Sequence, residues 1–343
     1  MKKMRKQLFQ LLSIHGVSGD EGNVRKYLEN ILKNQMDSVE VDTYGNLLAT
    51  KTIGNGEGAT VLLSAHMDTV RGVVKHREIL ENNGVITSSE GALGADDRAG
   101  IAIILQVLRS LENIKAFNGT LKIAFSREEE IGCVGSSKID RQWYNDVNLA
   151  IVVDRRGNRD VVVGTCGQPF ASNEVGRFFE EVSAMQDMDW KAIEGGISDA
   201  LTFSENGINS VNLSAGYENE HTSKEFVVFE DMCDTVRLIL QAFAVINDFY
   251  HTFGEVPKEN EWVKEYDYSY SKYYNSSYTS TGTTGNYYED VFDDYIYAEE
   301  SDSNGDVWLY ELGADITIQQ GDNEIVLSRS ALKSLIKQLD GKL

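Results

Sequence analysis

The sequence predicts an α/β fold of three layers, with a mostly parallel, mixed central sheet flanked by helices and a small ββα module at the C-terminus. Three observations predict it. Short, apolar and partly β-branched stretches recur, at 59–65 (ATVLLSA), 121–126 (LKIAFS), 149–154 (LAIVVD) and 209–216 (NSVNLSAG), as strands buried on both faces do. Segments with apolar residues at helical spacing lie between them, at 98–111, 173–185 and 229–250. Acids and histidines gather just beyond the strands.

In chain order, Leu8, Leu11, Leu12 and Ile14 form one face of an N-terminal helix; the patch is too short and too interrupted for a secretory leader. Ser18 or Asp20 is the expected cap of a second helix whose apolar positions are Val24, Tyr27, Leu28, Ile31 and Leu32. VEVDTYGNLLATK alternates as two strands around a turn at Gly45. The strand and helix segments named above then follow to residue 250.

Beyond Pro257 the composition changes. Residues 265–305 are rich in Tyr, Ser, Thr, Gly and acid, and hold 10 of the 16 tyrosines. This reads as a flexible acidic linker, with a segment that orders on an unknown protein partner as the alternative. In the last stretch, VWLYEL and ADITIQQGDNEIVLS alternate like strands, and Leu332, Leu335, Ile336 and Leu339 share a helical face. The expected organisation is a catalytic domain over 1–256, a linker over 257–305 and a ββα module over 306–343. So small a module buries little by itself and is expected to dock on the main domain or on a partner.

The totals exclude several classes. A formal charge of −22 repels nucleic acid and anionic lipid. No apolar run reaches the roughly 18 residues of a membrane span. Three scattered cysteines without a CxxC argue against a disulfide framework and for a reducing, cytoplasmic setting.

The chemistry lies in five clusters: His66 and Asp68; Asp96 and Asp97; Glu128, Glu129 and Glu130; Asp154; and His221. Most sit at the carboxyl end of a predicted strand, the edge where α/β sheets bind ligands. Two divalent cations need about three protein ligands each, with open positions left over. The set supplies them if Asp96 serves twice: His66, Asp96 and Asp154 for one ion, Asp96, Glu130 and His221 for the other. Zinc suits these donors, and cobalt or manganese also fit. Asp68, on the same short turn as His66, is expected to accept the second imidazole N–H. Glu129 is left to face a metal-bridging water as general base.

HMDTV, GADDRAGIA, FSREEEIGCVGS, VVDRRG and GYENEHTSKEFV, in that order, resemble the motifs of the zinc-dependent exopeptidase clan, and peptidase T-like aminopeptidases most of all. The resemblance covers about residues 5–250. It implies a zinc exopeptidase-like fold, the same ligands and base, a cis peptide between Asp96 and Asp97, and removal of N-terminal residues from short peptides. Carboxypeptidase, dipeptidase and N-acyl amino acid deacylase activities are the alternatives within the clan. A non-catalytic binding or assembly module is the remote one. Two features depart from the resemblance. Asp154 and His221 are only 67 positions apart, an interval read as one helix and short loops, too short for the lid or dimerisation domain of peptidase T-like enzymes. The chain after 257 has no counterpart. Oligomeric assembly stays open.

Blander readings compete at each position. A lone His-x-Asp is usually structural, and a lone run of three glutamates is usually solvated surface; only the company of the other motifs reverses this. Glu128 is expected at the surface, Asp97 in a structural role, and His15, His76 and His251 as ordinary histidines. Cys133 is expected as a small packing residue. Arg155 and Arg156 are expected to pair with surface acids, with a substrate carboxylate as the alternative. Asp199 is expected to cap a helix or to help bind a free amine.

Overall fold

In a computed structural model of the chain, residues 1–111 and 114–258 and three strands within 307–328 are described. They fall in two compact units, Met1–Ser269 and Tyr270–Leu343.

The first unit opens with helices α1 (Lys2–Ser13) and α2 (Gly22–Leu32). Strands β1 (Ser38–Val41), β2 (Leu47–Ile53), β3 (Thr60–His66), β4 (Ile79–Asn82) and β5 (Val85–Ser88) follow. Next come α3 (Ala95–Leu111), β6 (Gly119–Ser126), α4 (Arg141–Tyr144), β7 (Leu149–Arg155), β8 (Asp160–Thr165) and β9 (Gln168–Pro169). The unit ends with α5 (Asn173–Ala184), β10 (Lys191–Glu194), α6 (Asp199–Glu205), β11 (Ser210–Ser214), β12 (Tyr217–Glu218), β13 (Phe226–Val228) and α7 (Phe229–Phe249).

The main sheet runs β1-β2-β6-β3-β7-β11-β8-β10, with β9 paired to β8. Its centre, β6-β3-β7-β11, is parallel throughout. The antiparallel pairs β1-β2, β2-β6 and β8-β11 make the sheet mixed. Both faces are covered. On β3, Val61 and Leu63 join the larger apolar cluster with α1, α3 and α7, whereas Leu62 joins the smaller one with α6. On β7, Leu149, Ile151 and Val153 face the first cluster and Ala150 and Val152 the second. This period of two, with both faces apolar, is why these strands read as continuous hydrophobic runs. Each fully buried Leu or Ile contributes roughly 1.5–3 kcal/mol, enough in sum to hold a rim crowded with acids.

Helix α3 lies close on the sheet because of one residue. A Cβ at Gly100 would stand 1.9 Å from the Val153 carbonyl oxygen and 2.3 Å from Asp97 Oδ1. The backbone becomes helical only after Asp96 (ψ 107°) and Asp97 (ψ 39°), and the bond joining these two is cis.

Several expectations are corrected. Neither Ser18 nor Asp20 caps α2; Glu21 occupies the N-cap without a side-chain capping bond, its carboxylate taken up by Gly19 N–H and Arg127. The interval from Asp154 to His221 is not one helix and short loops. It builds β8, β9, α5, β10, α6, β11 and β12, of which β8, β10 and β11 extend the main sheet, so the interval is spent on the core. A second sheet, β12-β13-β5-β4, was not anticipated. Its strands are two to four residues long, too short to show a period.

The second unit contains β14 (Val307–Leu312), β15 (Asp315–Gln320) and β16 (Asn323–Ser328), an antiparallel meander in which Leu309 pairs with Ile318 and Ile318 with Ile325. The expected ββα count of two strands is therefore three. The expected C-terminal helix with Leu332, Leu335, Ile336 and Leu339, and the expected linker over 257–305 from residue 259 onward, lie outside the described residues.

Candidate functional site

Because β6, β3 and β7 are parallel, their carboxyl ends share one rim. His66 is the last residue of β3 and pairs with Ser126, the last of β6. Asp154 lies near the end of β7, where the register with β11 shifts between Asn212 and Ser214; such an irregularity re-aims a side chain. Asn212 holds the Asp154 backbone on both sides, accepting its N–H at 2.9 Å and donating to its carbonyl at 3.2 Å.

Asp96 joins the two halves of the site. Its Oδ1 lies 2.9 Å from His66 Nε2 and its Oδ2 lies 3.1 Å from His221 Nε2. Asp154 Oδ1 stands 3.5 Å from His66 Nε2, and Glu130 Oε2 stands 2.7 Å from His221 Nε2. The two triplets, His66-Asp96-Asp154 and Asp96-Glu130-His221, each bring three donor atoms within 4.8 Å of one another. These are the two sets drawn from the sequence.

Asp68 carries a second layer of contacts. Its Oδ1 lies 3.2 Å and its carbonyl oxygen 3.1 Å from His66 Nδ1. Both are acceptors, so Nδ1 carries a proton, and Nε2 is the ring nitrogen turned toward Asp96 and Asp154. The same carboxylate accepts Ser18 Oγ–H at 2.8 Å, Glu129 N–H at 3.0 Å and Glu130 N–H at 3.2 Å. With this many donors its pKa falls below the ordinary value, although burial by itself would raise it. Ser18 thus serves Asp68 and not a helix terminus.

His221 arrives from the β12–β13 connection. It has a left-handed backbone (φ 64°) and reaches the rim because β13 pairs with β5. Glu225, on the same connection, accepts N–H groups from Gly94, Ala95 and Asp96 at 2.8, 2.6 and 3.1 Å. One carboxylate therefore ties the His221 segment to the Asp96 turn. Burial raises the Glu225 pKa to about 7 despite these donors. Arg98, 1% exposed, donates to the carbonyls of Met67 and Gly16; burial lowers its pKa to about 10. Tyr217 Oη donates to Asp154 Oδ1 at 3.0 Å. Sequence reasoning missed Glu225, Arg98 and Tyr217 as parts of the site, although all three lie inside motifs it quoted.

The donor set fits divalent cations. Burial would lower the pKa of both imidazoles, yet the surrounding carboxylates push His66 and His221 well above their ordinary values. Burial raises Asp154 to about 7, and the two imidazoles hold Asp96 well below the usual carboxylate range against the same effect. A buried cluster of this kind calls for positive charge. His221 Nε2 and Glu130 Oε1 are buried without a hydrogen-bond partner. The 2.7 Å approach of His221 Nε2 to Glu130 Oε2 is thus proximity without bonding geometry, as for two ligands aimed at a common point.

Glu129 Oε2 lies 3.9 Å from His66 Nε2, beside the His66 triplet and outside both. Burial, reinforced by Asp154, raises its pKa well above the ordinary value. Asp97 turns away, accepting His66 N–H at 3.3 Å and Gly100 N–H at 3.0 Å. Arg155 contacts Asp160 at 3.3 Å and Arg156 contacts Glu220 at 2.6 Å. His15, His76 and His251 join no candidate metal group among the described residues.

Three neighbours behave differently from expectation. Glu128 is not a surface residue: its side chain is 16% exposed and is held by Tyr44 and Arg127. Cys133 does more than pack, its Sγ donating to Glu129 Oε1 at 3.2 Å. Asp199 caps no helix; Ser198 caps α6, accepting Ala200 N–H, while Asp199 is buried and bonded to Ser126 Oγ.

Comparison with known proteins places this rim in context. Residues 46–265 match the family model of Peptidase family M28. The chain is 25% identical over 260 residues to the uncharacterized protein YqjE of Bacillus subtilis (strain 168), covering 71% of this chain and 67% of that protein. It is 30% identical over 169 residues to Peptidase T of Clostridium botulinum (strain Hall), covering 46% of this chain and 41% of that one. The chain thus spans about two thirds of the first relative's length and two fifths of the second's. The aminopeptidase PepT of Bacillus cereus ATCC 10987 shares the fold with a TM-score of 0.63 at 18% identity, over 71% of this chain and 98% of that one. Among the described residues, no helix is long and apolar enough to cross a membrane.

Proposed function

The chain belongs to peptidase family M28, and from that premise we propose that it is a two-cation exopeptidase removing N-terminal residues from short peptides. The observation that carries this reading is the position of Asp96, whose two oxygens face His66 and His221 separately, with Glu129 alongside. Zinc suits two imidazoles and three carboxylates, and cobalt or manganese are also compatible. Held by His66, Asp96 and Asp154 and by Asp96, Glu130 and His221, two such ions would supply Lewis acidity toward a water and a scissile carbonyl.

The remaining work falls to side chains. Glu129 accepts the proton released by the attacking water and passes it to the leaving amine. Its place beside the His66 triplet, 3.9 Å from His66 Nε2, suits a group that must take a proton at that point and hold it between two steps. Asp68 fixes the His66 ring and, through the Glu129 and Glu130 amides, the loop that presents the base.

The test is metal analysis of the purified protein together with aminoacyl, N-acylated and C-terminally scissile reporter substrates, each assayed with added zinc, cobalt or manganese. Release from aminoacyl reporters, in step with cation content, is expected. Turnover confined to the N-acylated or C-terminal reporters would replace the aminopeptidase reading with a deacylase or carboxypeptidase. A protein that binds no cation would remove it altogether.

A further inference from the structure

A third group of donors lies next to the site. Glu129, Cys133 and Asp199 each place a ligand atom within 4.8 Å of the others. A tight turn creates the arrangement: Gly132 N–H and Cys133 N–H both donate to the Glu129 carbonyl at 2.8 Å, which folds Cys133 back over the residue it follows. Asp199 comes from the start of α6 and is 1% exposed. Its Oδ2 accepts Ser126 Oγ–H, while its Oδ1 is buried without a partner. Buried acceptors without a donor are rare and each calls for an explanation. Cys133 is 8% exposed, so the group is sheltered and includes a soft sulfur that neither catalytic triplet has.

We propose that Glu129, Cys133 and Asp199 form a third cation site, selective for thiophilic ions, and that its occupation inhibits the enzyme by engaging the general base. A cation entering there displaces the Cys133 thiol proton to solvent and is held by the thiolate, Asp199 Oδ1 and Glu129. Soft thiolate ligands select zinc-like and cadmium-like ions over manganese and magnesium. An ion bound this way occupies the carboxylate that must receive the proton of the attacking water, so excess zinc would stop turnover that two equivalents support. The inhibitory half of this proposal rests on the assignment of Glu129 as base; the binding half does not.

The experiment uses the full-length chain carrying Cys166→Ser, which silences the exposed thiol, loaded with two equivalents of zinc. Cadmium is titrated in while the ultraviolet thiolate-to-cadmium charge-transfer absorption and turnover are followed together. Each variant is referred to its own activity before cadmium is added. A saturable band reaching one cadmium per chain is expected, with inhibition tracking it. Cys133→Ser abolishes the band and raises the inhibitory cadmium concentration at least tenfold. Asp199→Asn, in protein shown to be folded by circular dichroism, weakens cadmium binding by a similar factor. Manganese in place of cadmium leaves turnover within twofold. No band, or a band unchanged in Cys133→Ser, overturns the site. A band without inhibition keeps the cation site and instead overturns Glu129 as the base.

Discussion

The backbone N–H of Glu129 donates to Asp68 Oδ1 at 3.0 Å, and that same oxygen lies 3.2 Å from His66 Nδ1. One buried carboxylate therefore orients a candidate metal ligand and holds the loop of the candidate base. Asp68→Asn keeps the shape but puts an amide donor against N–H groups. Supporting partners of metal ligands typically contribute 10–100-fold in affinity or activity. We expect losses of about that size in both cation affinity and kcat, measured by dialysis against a chelator buffer and by initial rates. A change in KM alone would separate Asp68 from this role.

Glu129→Gln removes the candidate proton acceptor and leaves both candidate metal triplets intact. Turnover should fall by about 10²–10⁴-fold, the usual weight of a general base, while elemental analysis still finds two cations per chain. Loss of cations together with activity would assign Glu129 to the ligand set.

Asp96→Asn should be the most damaging ligand change, because among the described residues Asp96 alone faces both imidazoles. The variant is expected to hold fewer than two cations. Ligands that bind only the folded state stabilise it by about 2.7 kcal/mol at 100 times their Kd. Chelation should accordingly lower the wild-type Tm and change that of Asp96→Asn much less.

Glu225 gives a pH prediction for the metal-free protein. Its folded pKa, raised by burial to about 7, lies above the unfolded value of about 4.3. The folded state binds this proton more tightly, so the contribution to stability is fully present below pH ~4.3 and is lost as pH rises through about 7. Glu225→Gln removes that titration. Urea melts of chelated wild type and variant should diverge over this window by up to about 3 kcal/mol. Parallel stability curves would show that Glu225 is already ionised in the fold.

Gly100→Ala tests the seating of α3. A Cβ there meets the Val153 carbonyl at 1.9 Å, and backbone atoms cannot swing aside. Overpacking costs typically 1–3 kcal/mol, or a few degrees in Tm per kcal/mol for a domain of this size. Because the helix carries Asp96 on its leading turn, cation affinity should drop with it. An unchanged melting curve would show that the helix can lift off the sheet without loss.

His66, Glu129, Glu130 and Asp154 were legible as candidates because each ends or follows a strand whose apolar run is hard to mistake, and strands in parallel register deliver their ends to a common edge; Asp96 and His221 were legible only from the motifs GADDRAGIA and GYENEHTSKEFV that hold them. ATVLLSA ends on His66, LKIAFS leads to Glu129 and Glu130, and LAIVVD closes on Asp154. The residues that hold this set in place were not legible. Glu225 caps the Asp96 turn from 129 positions away, and Ser18 reaches Asp68 across 50. A polar side chain at such separation leaves no periodic trace. Ser18 looked like a helix cap since serine favours caps, and only the bond to Asp68 shows otherwise. Likewise β10 offers only Ala192 and Ile193, too brief to tell from a loop, whereas the Val161-Val162-Val163 run of β8 is a strand signal that reading the interval as loops leaves out.

By itself, then, the order of residues determined the α/β layering and the parallel centre of the sheet, because local apolar periodicity encodes them, and it marked the acids and histidines of the rim through the motifs that carry them. Tertiary structure alone decided that Asp96 faces both imidazoles, that Asp68 serves ring and loop at once, and that Cys133 and Asp199 close around Glu129. Those relations depend on how loops of different strands meet in space, and hydrogen-bond geometry between distant segments is set by packing, not by any pattern along the chain.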